Sequence, residues 1–107
     1  MKIVRFDIQG PVLVTPESFS DERGTFSETY SKRAYREILG GVDFVQDNHS
    51  VSLQRGTLRG LHYQLPPFVQ AKLVRVARGA IFDVAIDLRP SSPTYKRHVS
   101  AELSGAN

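Results

Sequence analysis

The stretch Arg55 to Gly79 reads RGTLRGLHYQLPPFVQAKLVRVARG, and it decides both the fold and the chemistry of this chain. Two short segments, 57 to 63 and 71 to 77, have the composition and turn boundaries of strands. They carry Arg59, His62, Gln64 and Lys72. An imidazole accepts a proton near neutral pH. With two cations close by and no acid beside them, the set suits proton chemistry on an anionic substrate. Regular alternation puts Arg59 and His62 on opposite faces, so both serve one site only if the chain bends at Gly60.

Turn signals recur along the rest of the chain every eight to twelve residues or so, at Gln9 to Pro11, Asp21 to Gly24, Gly40-Gly41, Arg55-Gly56, Pro66-Pro67, Arg78-Gly79 and Pro90 to Pro93, the spacing of an all-β sandwich or barrel. Strands are expected near 3 to 8, 12 to 14, 26 to 30, 44 to 52, 57 to 63, 71 to 77, 80 to 88 and 97 to 103. SKRAYREIL, near 31 to 39, has the composition of one short helix. In IFDVAIDLR the alternation sets Phe82, Val84, Ile86 and Leu88 on a core face and Ile81, Asp83, Ala85 and Asp87 on the other. In FVQDNHSVS it aligns Gln46, Asn48, Ser50 and Ser52 in a polar row fit to line a ligand cavity.

A chain of 107 residues is one domain at most. With 14 Lys+Arg against 11 Asp+Glu the net charge is only +3, and the basic residues are scattered. That gives no nucleic-acid stripe, though a local anion site stays open. Without cysteine there is neither a disulfide framework nor thiol catalysis. MKIVRFDIQG lacks the apolar core of a signal peptide, and no apolar run reaches membrane-span length. The expectation is a cytoplasmic protein that does not engage membranes.

The skeleton Gly56, five residues, His62-x-Gln64, then Lys72, six residues and Gly79 resembles the metal-binding motif of the cupins with its ligands exchanged. Gln64 stands where a second histidine would bind and Lys72 stands near the place of the glutamate. An ammonium repels a divalent cation strongly at such range. The exchange points away from a metal-dependent cupin oxygenase and towards an organic mechanism in which His62 is the base and Lys72 stabilises negative charge developing on a carbonyl oxygen. Each residue also has a plainer reading: His62 as a hydrogen-bonded core histidine, Lys72 as a solvated strand-end lysine, Arg23 as part of an ordinary turn. Arg23 has the planar fork that suits a diphosphate. Glu28 can accept from sugar hydroxyls, Asp83 can pair with Lys72 or orient an imidazole, and Asp87 is expected in a turn or a surface pair.

The runs FSDERGTFSETY, FVQDNHSVS, TLRGLHYQLPP, QAKLVRVARGAIFDVAIDLRPSSPTY and LSGAN, in that order, closely resemble the dTDP-4-dehydrorhamnose 3,5-epimerase family of cupin-fold enzymes. The resemblance implies a cupin jelly roll, here incomplete at the C-terminus. It makes His62 the general base and Lys72 the group that steadies the enolate, with Asp83 a further active-site carboxylate. Arg23, Glu28, Gln46, Asp47, Asn48 and Arg59 fall at its substrate-contacting positions. It also implies a dTDP-linked 4-keto-6-deoxy sugar as substrate, a homodimer with an exchanged N-terminal strand, and no metal or organic cofactor. Members of the family run on for roughly 70 residues beyond the point matching Asn107, as a full barrel domain requires. That part would hold the family's tyrosine acid and the aspartate that orients the histidine, and none of Tyr30, Tyr35, Tyr63 and Tyr95 takes the tyrosine's place. A lone 107-residue chain is therefore expected to show little or no turnover. A single-site epimerase or ketoisomerase of nucleotide sugars, and a sugar-nucleotide-binding cupin without chemistry, are the alternatives.

Overall fold

A computed structural model describes residues 1–107. Six strands and one helix occur in the order β1 (Lys2–Arg5), β2 (Val12–Thr15), β3 (Ser18–Asp21), β4 (Gly24–Ser27), α1 (Lys32–Leu39), β5 (Ala80–Ile86) and β6 (His98–Ser104). The backbone gathers into two compact units, residues 1–29 with 74–107, and residues 30–73.

The first unit is built from three antiparallel two-stranded ladders, β1-β2, β3-β4 and β5-β6. In the tight β3-β4 hairpin Phe19 faces Phe26 and Asp21 faces Gly24. Gly24 has φ +135°, a conformation that a side chain resists. In β5-β6, Asp83 lies opposite Ala101 and Ile86 opposite His98. The long connection between these strands folds back on itself, with the Asp87 N–H donating to the Arg97 carbonyl at 2.9 Å and the Lys96 N–H to the Asp87 carbonyl at 2.7 Å. The Arg89 guanidinium then donates to the Gln9 carbonyl at 2.7 Å, binding the β1-β2 connection to the end of β5. Ile8 in that connection is buried.

The second unit contains α1 and an irregular segment. Ser31 precedes the helix in extended conformation, and Gly40 closes it in the left-handed region at φ 68°, as Gly commonly does. Tyr30, just before the cap, packs on Tyr35 one turn in, with ring centroids 5.2 Å apart, a hydrophobic staple that sets the entry angle. Phe44 meets Tyr30 edge-on at 5.9 Å, and Lys32 pairs with Asp43 at 3.3 Å, so the chain leaving the helix is folded back against its start.

The helix, the hairpin turns and five expected strands fall close to their places, and β3 adds a strand just ahead of the expected Asp21 to Gly24 turn. Three expected strands, 44 to 52, 57 to 63 and 71 to 77, are not formed. A ladder needs two backbones, and residues 42–79 find no pairing partner among residues 1–107. For the same reason the expected core face of β5 is only half-covered at Val84 and Ile86, while Phe82 is 73% exposed. A single two-stranded ladder has no second layer to bury it. No helix is long and apolar enough to cross a membrane.

Candidate functional site

Six of the expected site residues lie in the second unit. Gln46 donates through Nε2 to Asn48 Oδ1 at 3.0 Å, so these two side chains share a face as the alternation requires. Arg59 reaches back to the same segment, donating through Nε to Ser52 Oγ at 3.1 Å and through Nη2 to the Val51 carbonyl at 3.2 Å. The polar row and the guanidinium that reading of the sequence kept separate are thus joined across seven residues of chain. Asp47 sits between Gln46 and Asn48 and is exposed.

Gly60, between Arg59 and His62, has φ +108°, where only glycine is comfortable. A Cβ placed on Gly60 would lie 3.5 Å from His62 Nδ1. His62 and Lys72 are both exposed, and neither is on a strand. The expected strand 71 to 77 has no ladder, so no sheet face directs the Lys72 side chain. No group of three or more His, Asp or Glu side chains is arranged to hold a metal ion.

Arg23, Glu28 and Asp83 belong to the first unit. Arg23 occupies the β3-β4 turn and is locked to Asp21. Its main-chain N–H donates to Oδ1 at 2.9 Å, and Nε and Nη2 donate to Oδ2 at 3.1 and 2.5 Å. These bonds, that of the Arg23 side chain first, hold the Asp21 carboxyl below its ordinary range. Glu28 follows β4 directly and is exposed. Asp83, half-buried on β5, accepts from the Val84 N–H at 3.2 Å.

Two residues of consequence escaped the reading of the sequence. Asp21 is one, and its signal was the Asp-x-Arg-Gly spacing of a tight turn. Asp87 is the other, expected in a turn or surface pair and found instead as a buried hub. Its carboxylate, 1% exposed, accepts from Arg89, Ser92 and Thr94 at once. The Arg89 guanidinium chiefly, then the two hydroxyls, drive its pKa far below the carboxylate range, and Arg89 is raised in return. The signal was the run DLRPSSPT, which puts one acid within reach of a guanidinium and two hydroxyls.

Comparison with known proteins adds an independent line. A sequence model described as dTDP-4-dehydrorhamnose 3,5-epimerase matches residues 5–107. A protein of that name from Sinorhizobium fredii is 56% identical over 95 residues, covering 89% of this chain and 49% of the relative. The crystal structure of the Bacillus anthracis dTDP-4-dehydrorhamnose 3,5-epimerase with TDP and PPi bound superposes with a TM-score of 0.94 at 42% identity, over 99% of this chain and 61% of that one. The Legionella pneumophila dTDP-6-deoxy-D-glucose-3,5-epimerase in complex with dTDP-4-keto-L-rhamnose gives 0.91 at 46% identity, over 99% and 56%. The chain thus spans about half to three-fifths of the length of these relatives. A match that runs almost from end to end in both sequence and backbone leaves one assignment: the chain belongs to the dTDP-4-dehydrorhamnose 3,5-epimerase family.

Proposed function

We propose that residues 1–107 form the substrate-holding and base-bearing portion of a cupin jelly-roll domain that epimerises dTDP-4-dehydro-6-deoxy-D-glucose at C3 and C5, giving dTDP-4-dehydro-L-rhamnose. The observation that carries this reading is the backbone correspondence with two family structures that hold TDP with pyrophosphate and dTDP-4-keto-L-rhamnose. The C4 ketone of the sugar acidifies the hydrogens on both neighbouring carbons. His62 removes one of them, the electron pair moves onto the ketone oxygen, and the Lys72 ammonium stabilises that oxyanion. A proton delivered to the opposite face of the carbon inverts it and regenerates the ketone. Arg23 takes the diphosphate, and Glu28, Gln46, Asp47, Asn48 and Arg59 hold the sugar nucleotide, with Asp83 as the further carboxylate of the site. The chemistry is complete with protein groups and solvent protons. The functional assembly is a homodimer in the cytoplasm.

The exposure of His62 and Lys72 bears on how much of this the 107 residues do alone. An enolate next to bulk water loses most of the electrostatic help that a dry site gives. The chain by itself is expected to bind dTDP and to turn over the keto sugar little or not at all.

The test is a chimera in which residues 1–107 replace the matching stretch of the Legionella pneumophila enzyme. Incubated with the keto sugar in heavy water, it is expected to place deuterium at both C3 and C5. Exchange at one carbon only would make the protein a single-site epimerase, and dTDP binding without exchange at either would make it a binding module.

A further inference from the structure

The Arg23 fork, assigned above to the ligand's diphosphate, is already occupied. Asp21 fills it with three bonds at 2.5 to 3.1 Å, two of them from the guanidinium. Nε and Nη2 converge on the single oxygen Oδ2, so the carboxylate takes the edge of the guanidinium that could otherwise receive a phosphate oxygen. The pair is built into the hairpin. Asp21 ends β3 opposite Gly24, and the Arg23 N–H bonded to Asp21 Oδ1 keeps the two residues together. It is also open to solvent, with side chains 85% and 50% exposed, beside the exposed cross-strand pair Phe19 and Phe26 in a shallow concavity of about 340 Å³. An exposed pair of this kind exchanges readily.

We propose that Asp21 is a specificity-determining residue acting through Arg23: its carboxylate stands in for the ligand's anionic group, and a ligand gains the Nε–Nη2 edge of the guanidinium only by displacing it. The inference rests on the reading that Arg23 receives the diphosphate. A diphosphate spreads several charges over oxygens that can engage the fork from more than one side, so it displaces the carboxylate. An inorganic phosphate or a lone carboxylate, with less charge to offer, gains little over Asp21 itself. The hairpin thereby discriminates against weakly charged anions before any contact with the sugar or base is made.

Calorimetric titration of the 107-residue chain with inorganic pyrophosphate, inorganic phosphate and dTDP, at one fixed ionic strength, tests this. Asp21→Asn keeps the acceptor for the Arg23 N–H and removes the charge. It is expected to tighten dTDP and pyrophosphate by about three- to tenfold, and phosphate by more, so that the pyrophosphate-to-phosphate preference falls. Asp21→Ser, a second turn-compatible variant, should behave alike, and Asp21→Glu should return towards the original affinities. In the Arg23→Gln background the gain from Asp21→Asn should vanish. If Arg23→Gln weakens dTDP while Asp21→Asn and Asp21→Ser leave every affinity unchanged or weaker, the inference about Asp21 is overturned and the role of Arg23 stands. If Arg23→Gln leaves dTDP binding unchanged, the role of Arg23 fails and the inference with it. A gain that survives in the Arg23→Gln background is a general charge effect and also overturns it, as does absence of binding by every variant.

Discussion

Asp87 and Arg89 form a fork-to-fork pair in which Nε meets Oδ1 and Nη2 meets Oδ2, both at 2.8 Å, and the same Nη2 continues to the Gln9 carbonyl 80 residues away in sequence. One buried carboxylate therefore organises the β5-β6 connection and, through arginine, ties it to the β1-β2 end. Replacing Asp87 by Ala leaves the guanidinium, two hydroxyls and a main-chain N–H without their shared acceptor. The expected result is a melting temperature lower by several degrees, with faster hydrogen exchange at the Asp87 and Lys96 amides, whose main-chain bonds close the connection.

The same residue sets a dependence on acid. Its folded pKa lies far below the unfolded carboxylate value, chiefly because of the Arg89 guanidinium. At a pH above the unfolded value of about 4, both states are ionised and the stabilisation is fully present. As pH falls below that, the unfolded chain takes up the proton first and the stabilisation drains away towards the depressed folded pKa. Denaturation midpoints measured from pH 6 to pH 2 should fall more steeply for the wild type than for Asp87→Asn.

Gly60 holds φ +108° between two residues expected to share one substrate. Its Cβ position meets only ordinary contacts, so the penalty of Gly60→Ala is backbone strain of about 1–3 kcal/mol. Relief of that strain would redirect Arg59 relative to His62. In the chimera, Gly60→Ala should lower kcat/KM for the keto sugar while Gly56→Ala, at another positive-φ glycine with open space around it, should cost stability without the same loss of rate.

The proposed mechanism gives His62 and Lys72 separable roles. In the chimera, His62→Ala should reduce deuterium incorporation at both carbons by about 10²–10⁴-fold. Lys72→Ala should reduce it by about 10²–10³-fold, since it removes the positive charge that stabilises the oxyanion and leaves the base in place. Both variants should retain dTDP binding within a few-fold, because neither residue is assigned to the nucleotide.

Val45, Leu53 and Leu58 are at least 90% exposed, and Phe68, Tyr63 and Leu61 are more than half exposed in the same irregular segment. Such surface seldom stays uncovered on a soluble domain. Sedimentation of the 107-residue chain across a hundredfold or so range of concentration should show reversible self-association, and charged substitutions at Leu53 and Leu58 should suppress it.

What could be read from the sequence alone was whatever is decided within a few residues of chain. The helix expected near 31 to 39 forms and is closed at Gly40, and Asp21 to Gly24 makes the expected turn of a hairpin. The alternation in 44 to 52 placed Gln46 and Asn48 on one face correctly, because side-chain period is a local property. Whether that segment, or those around His62 and Lys72, becomes a paired strand depends on a second backbone, and local pattern carries no information about where that backbone is. For the same reason only the tertiary structure could show that Asp87 is buried and that Arg89 reaches Gln9. Burial and bonds between distant residues are set by what the fold brings within 3 Å or so, and no spacing rule along the chain supplies that distance.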